Sequence, residues 1–223
     1  MCKRLGYLFL LFSVSLLSCL SDKQEKSSRG IYANYSISGE EGKEFVTVFL
    51  QFSHGPEDFA SVLADPAKVF LDDFLLTADS AQESGAFYEV QIPVKDFAGR
   101  HVIRYIDEAQ KEHREEFSFI PFQVAGQLDE AVSRKDLVLQ LQGVKNGDLL
   151  RVVMIDTAIG GEGVNEVDTI QNNQLDLKRF LPAVANGPLV LELFKEEDRN
   201  LSKGQNGKIS ITYGLKREFE LKD

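Results

Sequence analysis

The sequence predicts an all-β protein built from antiparallel sandwiches. Three observations predict it. Apolar residues recur with a period of two along most of the chain, turn signals separate the alternating runs, and a helical period appears in only one short stretch. Strict alternation marks strands with one face on a core and the other in water. Short strands punctuated by turns build a sandwich.

The runs follow in chain order. Val46, Val48, Leu50 and Phe52 alternate along 45–52, and Tyr88, Val90, Ile92 and Val94 do the same. Leu137, Leu139 and Leu141 come next, then Leu150, Val152 and Met154, then Leu189, Leu191 and Leu193. Ile209, Ile211 and Tyr213 form a further strand, and Phe219 with Leu221 a last one. Gly39–Gly42, Asn146-Gly147-Asp148, Asn186-Gly187-Pro188 and Asn206-Gly207 are the turns between them. The exception runs from Pro56 to Ala64. It opens on proline and acids and places Phe59, Val62 and Leu63 at helical spacing, which predicts a turn or two of helix inside a loop, stopped by Asp65-Pro66.

The first nineteen residues have a different character. Met1-Cys2-Lys3-Arg4 is a basic start, Leu5–Leu17 is a thirteen-residue apolar run, and Leu16-Leu17-Ser18-Cys19 closes it with small residues before a cysteine. A bilayer-spanning helix needs about twenty residues, so the run reads as a signal peptide. Residues 16–19 resemble the lipobox of bacterial lipoproteins, whose signal peptidase cuts before a cysteine that carries lipid. The resemblance implies acyl chains on Cys19, and two or more such chains anchor stably. The protein is therefore expected to sit on a membrane by its N-terminal lipid without crossing it.

Composition narrows the function classes. The sequence carries 25 basic and 35 acidic side chains, and residues 1–18 hold only Lys3 and Arg4 among them. The chain from Cys19 on therefore has 23 bases against 35 acids, a formal −12, which opposes binding to nucleic acid or anionic headgroups. With Cys2 lost and Cys19 lipidated, the folded part holds no thiol. That excludes disulfides, thiolate nucleophiles and cysteine metal sites.

Residues 20–29 are polar and mixed in charge, a flexible tether. Gram-negative lipoproteins kept at the inner membrane tend to carry aspartate just after the cysteine. Leu20 stands there instead, and by resemblance points to the outer membrane. Surface export in some Bacteroidota uses acidic tethers, of which Ser21-Asp22 is a faint version; which face of the envelope the protein occupies is left open. The expected organisation is 1–18 signal peptide, 19–29 lipidated cysteine and tether, 30–125 first sandwich and 126–223 second sandwich. The two halves echo each other. Val90 and Ile92 lead through Phe97 to Gly99 and the strand Arg100–Ile106, as Leu175 and Leu177 lead through Phe180 to Gly187 and the strand Pro188–Phe194. A rival register aligns Gly99 with Gly207. In either register the pattern resembles the tandem immunoglobulin-like domains of bacterial surface lipoproteins over the whole mature chain, without a specific motif.

Catalytic motifs are missing. His54, His101 and His113 are scattered, with no His-Glu-x-x-His, and Ser53-His54-Gly55 lacks the glycines of a nucleophile elbow. No phosphate loop precedes a helix. The acid pairs Asp72-Asp73, Glu115-Glu116 and Glu196-Glu197-Asp198 put neighbours on opposite strand faces and read as solvated. The connection 156–168 is acidic and glycine-rich. Asp156, Glu162, Asn165, Glu166 and Asp168 could offer oxygen ligands to calcium, bind a partner, or simply form a solvated hairpin loop. Tyr32, Tyr35, Phe87 and Phe97 are candidate exposed aromatics in a chain without tryptophan. No cofactor is called for. The expected function is a non-enzymatic, lipid-anchored binding, adhesion or structural module of the cell envelope, with a protein or glycan partner. The alternative is an accessory carbohydrate-handling lipoprotein, which a cleft between the two sandwiches would favour.

Overall fold

The computed structural model describes residues 30–82, 85–156 and 163–223. In the first half come β1 (Tyr32–Glu40), β2 (Phe45–Ser53), β3 (Lys68–Leu71), β4 (Phe74–Leu76), β5 (Ala78–Ala81) and β6 (Gly85–Pro93). One helical turn, α1 (Val94–Phe97), leads to β7 (Gly99–Ile106) and β8 (Glu112–Phe119). Hydrogen bonding orders them as β1-β2-β6-β5 in one sheet and β4-β3-β7-β8 in another. Lettered A to G in chain order, with β4 as C′, these are the ABED and C′CFG sheets of an immunoglobulin-like sandwich. Phe52 of β2 meets Tyr105 of β7 across the gap at 5.0 Å between ring centroids.

The second half holds β9 (Gln123–Val124), β10 (Ala131–Ser133), β11 (Val138–Gln142), β12 (Leu149–Asp156), β13 (Gly163–Thr169) and β14 (Gln174–Asp176). A 3-10 segment, Leu177–Ala183, precedes β15 (Gly187–Asn200) and β16 (Asn206–Lys222). Here β9-β11-β14 is one sheet, while β13-β12-β15-β16 is the other, with β10 lying parallel on β16. The same lettering gives ABE and C′CFG. The two E–F corners share one feature, a short helical segment leading to a glycine that opens the F strand. α1 runs into Gly99 at φ +135° and the 3-10 segment runs into Gly187 at φ +133°, a backbone region open essentially to glycine alone. The register that aligns Gly99 with Gly187 therefore pairs equivalent strands, and the Gly207 alternative does not.

The two units share a sheet. β15 and β16 are far longer than their own sandwich needs, and the outer half of this hairpin runs along the first unit. Residues Asn206–Gly214 of β16 pair in parallel with β1, so one sheet runs β13-β12-β15-β16-β1-β2-β6-β5 behind both units. At the junction, Tyr213 of β16 meets Phe119 of β8 and Phe122 of the linker edge-on, at 5.8 and 5.6 Å. Gly39 keeps that contact possible, since a Cβ there would lie 2.8 Å from the Phe119 ring. The ion pair of Arg217 with Glu41 ties the second unit to the β1–β2 turn. At the far end of the hairpin Arg199 reaches Glu115 of β8, and the Ser202 amide donates to the same carboxylate at 2.7 Å.

Several expectations change. The chain around Pro56–Ala64 forms bends and a bridge from Ala60 to Gly85 in place of a helix. Its Phe59 and Val62 are 78% and 59% exposed, so the helical face has no core to bury against. Tyr35 and Phe97 are core residues, on the inner face of β1 and under β7. The strand seen at Ile209–Tyr213 and the one at Phe219–Leu221 are a single strand. Leu215 continues their alternation, and Arg217, held by Glu41, is the one polar residue that interrupts it. Among the acid pairs, Glu115 is buried, 1% exposed, by its bond to Arg199.

Candidate functional site

Cys19 and Glu162 lie outside the described residues. Asp156 ends β12 and is buried, opposite Leu189 of β15. Asn165, Glu166 and Asp168 lie on strand β13, paired to Val153, Val152 and Leu150 of β12. Asp168 pairs with Leu150, six residue steps along β12 from Asp156, which puts it about 20 Å along the strand direction from Asp156. The Asp168 carboxylate is engaged by Arg179 at 3.0 Å and by the Thr169 amide at 2.7 Å. Asn165, Glu166 and Asp168 are strung along the edge strand β13 while Asp156 ends its neighbour β12, and no group of three metal-ligating side chains occurs among the described residues.

Two histidines hold turns in place. His101 stacks on Phe97, with ring centroids 3.9 Å apart, and its two nitrogens face Asp72 Oδ2 and the Phe97 carbonyl at 2.9 and 2.8 Å. Asp72 also accepts from the Val102 amide, which fixes the β3–β4 turn to β7. His113 stacks on Tyr105 and bonds Asp107 at 2.9 Å. That imidazole hydrogen bond holds the Asp107 carboxyl below the usual carboxylate range. Burial, reinforced by Asp107 and Glu108, pushes the Tyr105 hydroxyl up to about 12.

The described surface has a cleft at the junction and a trough near residue 30. The cleft, about 370 Å³, lies between Ile120, Leu149 and Tyr213. Its charges already serve one another. Lys195 Nζ sits 2.5 Å from Asp148, and Arg151 grips Glu196 with two nitrogens. Burial pushes Asp148 up, but Lys195 and the Lys145 amide outweigh it and hold the carboxyl below its ordinary value.

The trough lies on the outer face of the shared sheet. Asn200, Lys208, Asn34 and Gln51 stand in one rank across β15, β16, β1 and β2. Neighbouring strands are about 4.8 Å apart, so polar heads recur at that interval. Beside the rank rises the β2–β3 loop, and Pro56, Glu57, Asp58 and Phe59 enclose with it a cavity of about 580 Å³. A second cavity, about 590 Å³, continues past Tyr32 and Pro56 to His54 and Asn206. Each has the volume of a small-molecule site. The side chains of Tyr32, Asn34, Asn200 and Lys208 make no hydrogen bond or ion pair among the described residues. Of the aromatic candidates, Tyr32 lines both cavities and Phe87 stacks on Phe49 at 5.1 Å on the same outer face. The rank itself was beyond sequence reasoning, because it exists only through the parallel pairing of β1 with β16.

Neither protein-family models nor curated protein sequences gave a match to the chain. Solved structures similar to it include the tandem IG1+IG2 of DIP-gamma, at 10% identity and a TM-score of 0.25, covering 86% of this chain and 95% of that one. Another is the complex of Dpr11 IG1 bound to DIP-gamma, at 10% identity and a TM-score of 0.25, covering 82% and 94%. The immunoglobulin-like assignment rests on the strand order given above.

Proposed function

We propose that the protein is a non-enzymatic binding module of the bacterial cell envelope, anchored to the outer membrane by acyl chains on Cys19. The observation that carries the binding role is the set of half-buried and exposed polar side chains in the trough that have no partner among the described residues, mounted on a rigid sheet floor. Loose polar side chains on a surface are common, but four of them lining two site-sized cavities are positioned to meet a ligand. The anchor rests on the lipobox resemblance. The tether would enter at Gly30, which borders the trough. β16 leads away from there over 17 residues, on the order of 50 Å, so the E–F corner of the second unit would stand at the outer pole.

Three experiments test this. Cys19→Ala should release the protein from membranes; retention equal to the parent would refute the anchor. Protease shaving of intact cells then decides the face, since digestion marks the cell surface and survival marks the periplasm. The mature protein immobilised on beads should retain solubilised envelope fragments, and Asn34→Ala with Lys208→Ala should lower that retention. No retention by the parent would end the binding reading.

A further inference from the structure

The trough's chemistry narrows its ligand, and the argument rests on the binding role proposed above. We infer that the trough takes a neutral oligosaccharide. Asn34 and Asn200 each present a donor and an acceptor in one plane, which suits hydroxyls that both give and accept protons. A carboxylate or phosphate ligand would need donors only, and an ammonium ligand acceptors only. The charges present are of opposite sign, with Lys208 on the floor and Glu57 and Asp58 in the wall. In a chain carrying a formal −12 from Cys19 on, such a site repels polyanions.

The apolar part points the same way. Tyr32 and Phe59 line the first cavity, and Phe59 is 78% exposed. Flat rings bounding a polar floor match the two faces of a pyranose, whose axial C–H groups pack on an aromatic ring while equatorial hydroxyls meet the amides. An extended peptide would bind by adding its backbone to a sheet edge. That route is closed here, because β16 lies between β15 and β1, and β1 between β16 and β2. Only side chains read the ligand.

The test uses the mature lipidated protein in detergent and a panel of neutral probes: β-1,4-glucan, α-1,4-glucan, mannan and N-acetylglucosamine oligomers, with polygalacturonate as the anionic control. Saturation-transfer NMR should show contact with at least one neutral probe. Tyr32→Ala and Asn34→Ala should each weaken it at least tenfold while leaving the thermal midpoint in place. Binding to polygalacturonate alone, or variants that bind as the parent does, would overturn the inference. Periodate, which cleaves vicinal diols, separates it from the broader reading. If envelope fragments are retained before periodate treatment and lost after it, the sugar assignment gains support. If retention survives both periodate and enzymatic digestion of N-acetylglucosamine chains, whose 1,4-linked units carry no vicinal diol, the ligand is not one of these glycans, and the binding role stands without it.

Discussion

The contact between the hairpin tip and β8 makes an asymmetric prediction. Glu115 is 1% exposed and accepts from Arg199 and the Ser202 amide. Arg199 is a third exposed and has two further partners, Glu197 Oε1 at 2.8 Å and the Glu116 carbonyl at 2.9 Å. Arg199→Ala therefore strands a buried carboxylate on a single amide, a loss of about 3–5 kcal/mol. Glu115→Ala strands no charge. Arg199 keeps its other partners and reaches water, and the cost is the orphaned Ser202 amide plus one charge-assisted bond, about 2–3 kcal/mol. In the double variant the stranded carboxylate is gone, so its cost should fall close to that of Glu115→Ala alone.

Urea unfolding of the mature chain and its three variants measures this. The expected order is Arg199→Ala least stable, with the second substitution restoring about 1–2 kcal/mol. Hydrogen exchange should show the loss concentrated in β1 and the first half of β16, where the hairpin lies on the first unit. Equal single costs that add in the double variant would refute the reasoning, because the carboxylate would then be solvated or otherwise satisfied.

Further predictions follow from the same structure. Gly207→Ala would place a Cβ 1.8 Å from the Ala33 carbonyl oxygen at φ +129°, so it should cost more than about 3 kcal/mol or prevent folding. Gly204→Ala, at φ +95° with open space around it, should cost only about 1–2 kcal/mol; thermal melts of the pair check both. Asp148 titrates below its ordinary value of 3.8 in the fold. Its stabilisation is thus complete above that value and disappears as pH falls through the depressed one. Asp148→Asn should flatten this part of the acid limb in urea melts between about pH 5 and pH 2. Millimolar calcium should leave the thermal midpoint unmoved, since Arg179 occupies Asp168 and Asp156 stands at the far end of the neighbouring strand β12. A calcium-dependent rise in calorimetry would restore the ligand loop.

Sequence legibility followed the length of each element and the clarity of its alternation. Phe45–Ser53 and Leu149–Asp156 announce themselves because every second residue is apolar. β3, β4 and β5 have only three or four residues each, too few for a period to register. β13 reads as loop because its outward positions carry Asn165, Val167 and Thr169, while Glu166 and Asp168 alternate with them where core residues would be expected. The E–F corners were visible as an aromatic followed by a glycine, since that backbone bend tolerates little else. Glu115 reads as a solvated acid for a physical reason. A buried acid looks like a surface acid until its partner is found, and Arg199 lies 84 residues away.

The hairpin that joins the units also builds the trough. Asn200 and Lys208 come from the C-terminal unit, while Asn34 and Gln51 come from the first two strands. Each unit by itself owns half of the floor. The parallel pairing of β1 and β16 sets the spacing between the halves, and Arg199 with Glu115 holds the hairpin tip where Asn200 and Lys208 complete the rank. Ligand binding and the docking of the units are therefore linked by mass action, since whatever favours the docked hairpin favours the complete floor. Arg199→Ala, remote from the trough cavities in its contacts, should weaken saccharide binding as well as stability. The second substitution, Glu115→Ala, should restore both together. A variant that recovered stability without recovering binding would mean that the floor needs the Arg199–Glu115 contact itself, and that docking strength alone does not set saccharide binding.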